Sequence, residues 1–133
     1  MAKQKMIVPR EDDEQRVVIQ WANLNAANYE DVDLLYHIPN GGYRNAREAI
    51  KFRQMGVKAG MPDLHLPVSR GMYHSLYIEL KRQQGGRVTD AQRRRILRLQ
   101  KAGNFVAVAR GAEEAINVIK SYYGFGKLGD LLK

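Results

Sequence analysis

A chain of 133 residues with 44% hydrophobic and 27% charged side chains has the size and composition of one globular domain, long enough to bury roughly two-thirds of its unfolded surface. It carries 22 Lys plus Arg against 14 Asp plus Glu, a formal charge of +8, and no cysteine, which excludes disulfides, thiolate nucleophiles and cysteine zinc sites. No apolar run suits a membrane span and Met1 to Pro9 holds no stretch of signal-peptide length, so a soluble intracellular protein is expected.

In chain order, Val17, Val18, Trp21 and Leu24 recur at helical spacing behind an acidic first turn, which predicts a helix over 12–24. Leu34 to Ile38 reads as a short strand stopped by Pro39-Asn40-Gly41-Gly42, a turn without the lysine and hydroxyl of a nucleotide loop. A helix is expected from Asn45 to Met55 with Ala46, Ala49 and Ile50 facing inward, and Gly56 and Gly60 bracket the loop after it. Residues 63–67 and 75–81 read as strands joined by a polar turn at Ser69-Arg70-Gly71, most simply an antiparallel hairpin. Thr89 opens a helix to Ala102 that Gly103-Asn104 ends, and Phe105 to Ala109 is an apolar run of the kind buried central strands show. Glu113 to Tyr123 is the closing helix, and the Gly-rich tail 124–133 is expected to be loose. The order α-β-α-β-β-α-β-α places residues 1–133 in one α/β domain, core about 11–123, with a mixed central sheet flanked by helices.

The positive charge is concentrated in two blocks. Arg44, Arg47, Lys51, Arg53 and Lys58 are accompanied by one acid, Glu48; Lys81, Arg82, Arg87, Arg93, Arg94, Arg95, Arg98 and Lys101 are accompanied by Asp90. Both blocks are helical for much of their length, and rows of cations at fixed spacing suit a phosphate backbone better than they suit mere solvation. Arg94, Arg98 and Lys101 form one stripe at i, i+4 and i+7, away from Ile96 and Leu99.

The chemistry centres on the second strand of the hairpin. Strand side chains alternate, so Tyr77, Glu79 and Lys81 face one way and Leu76, Ile78 and Leu80 the other. Asp63 opens the antiparallel partner and so lies beside Glu79 and Lys81. Two close carboxylates repel unless a proton or cation sits between them, and hard oxygen ligands suit Mg²⁺ or Mn²⁺. A lysine alongside orients a water or stabilises charge on a phosphate. Glu14 shares a helix face with Val17, Val18 and Trp21, and a buried carboxylate there needs a partner, for which a metal or its water is the expectation. Gln92 has two open readings: the end of a capping box with Thr89, or a side chain aimed at the sheet beside Ile96 and Leu99. His65 and His74 lack ligand spacing and read as ordinary polar residues, and the tyrosines read as core packing with no stacking-platform pattern.

Pro62-Asp63 followed by Glu79-Leu80-Lys81 resembles the PD-(D/E)XK nuclease signature. With Gly56-Val57-Lys58-Ala59-Gly60-Met61 before it, and Thr89-Asp90-Ala91-Gln92 and Gly103 after it, the set resembles the VRR-NUC family over roughly residues 11–123. The resemblance implies a restriction-endonuclease-like fold and a metal-dependent endonuclease acting on DNA. Asp63 and Glu79 would be metal ligands with the Leu80 carbonyl as a third, Lys81 the catalytic lysine, Glu14 the acidic residue of the first helix, meeting the metal directly or through water, and Gln92 the glutamine after the hairpin. His37 to Gly41 would form a loop near the site. The cofactor implied is Mg²⁺ or Mn²⁺, and the DNA contacts fall to Arg44, Arg47, Lys51, Lys58, Arg82, Arg87, Arg94, Arg98 and Lys101.

A chain with no appended helicase or SAP-like module resembles the bare nuclease domains, and through them the junction resolvases. A homodimer acting on branched DNA such as a four-way junction, in a bacterium or phage-infected cell, is the expectation that follows. A non-catalytic DNA-binding module would have no use for carboxylates facing a polyanion, and an RNA-processing nuclease is disfavoured by the lack of exposed aromatic motifs.

Overall fold

The alternation of Leu76 to Lys81 and the short apolar repeat of Leu64 to Leu66 build the centre of the fold. In the computed structural model, which describes residues 7–39 and 45–131, these segments are β3 (Leu76–Lys81) and β2 (Leu64–Leu66). They pair antiparallel with Leu64 opposite Ile78 and Leu66 opposite Leu76. The other elements are α1 (Glu11–Leu24), a 3₁₀ turn (Val32–Leu34), β1 (Tyr36–His37), α2 (Ala46–Gln54), α3 (Asp90–Lys101), β4 (Phe105–Arg110), α4 (Ala112–Tyr123) and the short α5 (Leu128–Leu131). Met1 to Met6, the Asn40-Gly41-Gly42 turn and Arg44 lie outside the described residues.

The sheet is mixed, in the order β1-β2-β3-β4, with β4 parallel to β3. This is the expected α/β architecture with flanking helices. One face is apolar: Leu64, Leu66, Leu76, Ile78 and Leu80 pack with Val18 and Ala22 of α1 and Ala115, Ile119 and Tyr122 of α4. The buried face of α1 is Glu14, Val18 and Ala22, while Val17 and Leu24 point outward. The opposite face carries Tyr77, Glu79 and Lys81 and receives α3, through Gln92.

Four expectations are corrected. The strand over 34–38 is reduced to Tyr36–His37, because Val32 to Leu34 winds into a 3₁₀ turn that buries Val32. α2 does not turn Ala46, Ala49 and Ile50 inward: none of its residues is buried, and Ile50 is 48% exposed. Its half-buried residues are Ala49 and Phe52, with Ala46 and Ile50 exposed among the cations, so the side it turns inward is narrower than expected and shifted toward Phe52. β4 is an edge strand, half-buried between α3 and α4, because apolar residues on both faces need cover from both sides but no fifth strand. The start of the tail is not loose. Gly126 O accepts from Gly71 N–H at 2.6 Å, and Phe125 lies against Tyr73, Phe105 and Tyr122.

Candidate active site

Asp63 is delivered by a loop that packs on the start of α3. Gly60 has φ +78°, and a Cβ there would meet the Ala91 carbonyl oxygen at 2.9 Å, so the loop approaches the helix more closely than any side chain allows. Arg95 Nη2 donates to Ala59 O at 3.2 Å and Pro62 is fully buried. On its other flank, Ile38 N–H and His37 Nδ1–H donate to the Asp63 carbonyl at 2.8 and 2.9 Å. Both flanks of the loop are therefore tied down, and the Asp63 side chain leaves a fixed backbone.

β2 ends its ladder at Leu64, opposite Ile78, so Leu80 N–H has no strand partner on that side. Asp63 Oδ2 accepts it at 2.8 Å. The N–H and C=O of one strand residue point to the same side, so the Leu80 carbonyl also opens past the end of β2. Glu79, one residue earlier, is 2% exposed. Its Oε1 accepts from Gln92 Nε2 at 3.1 Å and lies 3.4 Å from Lys81 Nζ. Burial first, and the adjoining Asp63 carboxylate second, push the Glu79 carboxyl up to about 8, with Lys81 opposing.

Gln92 meets both of its expected readings at once. Its backbone N–H donates to Thr89 Oγ1 at 3.1 Å and its Oε1 accepts from Thr89 N–H at 2.9 Å, a complete capping box. The same Oε1 accepts from Lys81 Nζ at 3.0 Å, while Nε2 holds Glu79. Lys81 is itself buried, at 7% exposure, so α3 orients both charged side chains of β3.

The residues fit a divalent cation. Glu79 Oε2 is buried and makes no hydrogen bond, next to the Asp63 carboxylate, and the Leu80 carbonyl belongs to the next residue of the strand. These are hard oxygen donors of the kind Mg²⁺ and Mn²⁺ take. Among the described residues no three His, Cys, Asp or Glu side chains gather into a ligand group, so a cation here would rest on Asp63, Glu79 and the Leu80 carbonyl.

Glu14 has protein partners of its own. It is buried, as expected, and its Oε2 accepts from Ala112 N–H at the start of α4 and its Oε1 accepts from Gln83 Nε2 at 3.0 Å. One partner of this buried carboxylate is thus the positive end of another helix, which spacing within α1 cannot reveal. Gly111 makes room for it: with φ +87°, a Cβ would meet Glu14 Oε2 at 2.6 Å.

The cations nominated for DNA are at the surface: Arg47, Lys51, Lys58, Arg82, Arg87, Arg94, Arg98 and Lys101 are all exposed. Arg82 also donates to Val8 O at 3.2 Å. The sequence reading missed Arg110, which donates from Nη1 to Gly85 O at 2.6 Å and from Nη2 to Gly86 O at 3.2 Å, shaping the loop after Lys81. The paired glycines, both at positive φ, were the available signal. It also placed every tyrosine in core packing. That holds for Tyr122, but Tyr36 is 47% exposed and joins His65 and Tyr77 in an aromatic row on the site's side of the sheet.

The family model described as VRR-NUC domain matches residues 7–113. A solved structure described as "VRR_NUC domain protein" is similar at 37% identity and TM-score 0.76, covering 93% of this chain and 94% of that chain. The comparison with curated proteins gives no match.

Proposed function

The chain belongs to the VRR-NUC domain family, nucleases of the PD-(D/E)XK type, and on that premise we propose a divalent-metal-dependent endonuclease that hydrolyses DNA phosphodiester bonds at Asp63, Glu79 and Lys81. The observation that carries this reading is the buried Glu79 Oε2, left without a donor beside Asp63 and within reach of a lysine. A carboxylate in that state destabilises the protein unless a proton or cation answers it.

Asp63, Glu79 and the Leu80 carbonyl would hold Mg²⁺ or Mn²⁺, which when bound polarises a phosphate oxygen and lowers the pKa of water. Lys81, steered by Gln92 Oε1, presents its ammonium to the attacking water or to charge building on the phosphate. Gln92 Nε2 keeps Glu79 in one rotamer, so the carboxylate does not reorganise as charge develops. Exposed Arg94, Arg98 and Lys101 on α3, with Arg47, Lys51, Lys58, Arg82 and Arg87, contact phosphates flanking the cut without reading bases. The preferred substrate is branched DNA, such as a four-way junction. There a pair of copies related by two-fold symmetry makes two equivalent cuts.

The test is incubation of purified protein with labelled linear, flap, splayed and four-way DNA in Mg²⁺, Mn²⁺ or EDTA. Cleavage of branched DNA with either cation, none in EDTA, and none by Asp63→Ala with DNA binding retained is the expected result. Undiminished cleavage in EDTA or by Asp63→Ala removes the assignment.

A further inference from the structure

The face of the sheet that carries Asp63, Glu79 and Lys81 also carries three rings. Directly opposed residues on neighbouring strands point to the same side, and Tyr36 pairs with His65, which pairs with Tyr77. His65 follows Asp63 by two residues and Tyr77 precedes Glu79 by two, so the row is continuous with the site. The His65 and Tyr77 rings stack with centroids 4.2 Å apart and planes 16° apart, and Tyr36 meets His65 edge to face at 5.3 Å.

The row is held by a hydrogen-bond chain whose direction can be worked out. Asn104 Nδ2 donates to Leu99 O at 3.0 Å, which fixes its amide and leaves Oδ1 to accept from Ser75 Oγ–H at 2.6 Å. Ser75 Oγ must then accept from His65 Nε2–H at 3.0 Å, so His65 Nδ1 is the acceptor that Tyr36 O–H reaches at 2.8 Å. The polar atoms of this hydrogen-bond chain are engaged, yet Tyr36 at its end remains 47% exposed. Core packing does not need a tyrosine fixed in this way at a surface, whereas an aromatic side chain set in advance loses little entropy when a flat ligand lies on it.

We propose that Tyr36, backed by His65 and Tyr77, is a stacking subsite for one unpaired nucleobase of the DNA strand near the scissile phosphate. Tyr36 pairs with His65, so it stands two residue rises and one strand spacing from Asp63, and two rises and two strand spacings from Glu79, which puts its Cα about 8 Å and about 12 Å from theirs. That span is about two to four stacked bases at 3.4 Å each, so a strand with its phosphate at Asp63 and Glu79 brings a base a few nucleotides away to Tyr36. A base inside a duplex has both faces covered by its neighbours, whereas one at a branch, flap or bulge has a face to offer. The subsite accordingly selects DNA with an unpaired nucleotide near the cut. It rests on the nuclease reading only for the position of the phosphate.

The test is binding in EDTA, where no cleavage occurs, of a fluorescent duplex with one bulged adenine and of the same duplex fully paired. Tyr36→Ala is expected to weaken binding to the bulged duplex roughly 5- to 150-fold, the range that loss of one base stack produces, and to leave the paired duplex within about twofold. Tyr36→Phe and Tyr36→Trp keep a ring and keep the preference, which separates stacking from the His65 hydrogen bond. Should Tyr36→Ala fail to fold, Tyr36→Trp decides the matter, with 2-aminopurine at the bulge quenched by the wild-type protein and by the Trp variant. Equal losses on both duplexes, no loss on either, or unquenched 2-aminopurine overturns the subsite. A protein that prefers the bulge through Tyr36 but cuts no DNA removes the nuclease reading and leaves the subsite. One that cuts DNA and ignores Tyr36 removes the subsite alone.

Discussion

Gln92 Nε2 donates to Glu79 Oε1 at 3.1 Å, so the residue that closes the capping box of α3 also restrains a carboxylate of the proposed catalytic centre. Helix formation and site geometry are thereby coupled through one side chain.

Gln92→Ala is expected to cut the cleavage rate at least about tenfold, or about 1.4 kcal/mol of transition-state stabilisation, because Glu79 and Lys81 both lose a partner. It also removes half of the capping box. Thr89→Ala separates the two effects: it should cost about 1 kcal/mol of stability through the lost cap and leave the rate per folded molecule unchanged. Urea unfolding together with single-turnover cleavage of both variants checks this. Equal rates for the two variants would reduce Gln92 to a cap.

The Glu79 carboxyl, pushed up to about 8 by burial and by Asp63, predicts a pH-dependent stability of the metal-free protein. Its folded pKa lies above its unfolded value, so the folded state binds the extra proton. The associated stability is fully present below the ordinary carboxylate range and is lost as pH rises through about 8. Thermal melts in EDTA should show a midpoint that falls from about pH 5 to pH 8, and Glu79→Gln should flatten that slope. Added Mg²⁺ should restore the midpoint most at the alkaline end, where the carboxyl is ionised. Parallel slopes for wild type and Glu79→Gln would place the titration elsewhere.

Glu14 joins α1 to the start of α4, and Gly111 N–H, one residue before Ala112, donates to Lys81 O at 3.0 Å. Glu14→Ala should therefore lower the unfolding free energy by about 1.5–3 kcal/mol, the range of a hydrogen bond to a charged group. The folded fraction should still cleave DNA. Denaturant titration and a cleavage assay at a temperature where the variant is folded read the two effects apart. Loss of cleavage without loss of stability would instead make Glu14 part of the catalytic group, as the family resemblance implies.

Arg94, Arg98 and Lys101 are exposed along one face of α3. Replacing all three with Ala should weaken binding to every DNA sequence alike. If each contacts a phosphate, the slope of log affinity against log salt shrinks by roughly 2 to 3. Anisotropy titrations at several salt concentrations measure the slope, and an unchanged slope makes the stripe a solvated surface.

Strand alternation and turn residues were enough to place Glu79 and Lys81 on one face, to fold Asp63 back beside them, and to start α3 at Thr89, because each of these depends on spacing within one element or across one hairpin. The sequence by itself also determined the two cationic blocks and the order of elements. Only the tertiary structure decided what those elements meet. Glu14 finds Ala112 across 98 residues and Tyr36 finds His65 across 29, and no periodicity within a helix or strand encodes such a pairing. Burial of Val18 without Val17, exposure of α2, and the place of β4 at the sheet edge follow likewise from which surfaces remain to be covered once the sheet is assembled. A side chain's type and phase state that it needs a partner; the packing of the whole chain selects which one it gets.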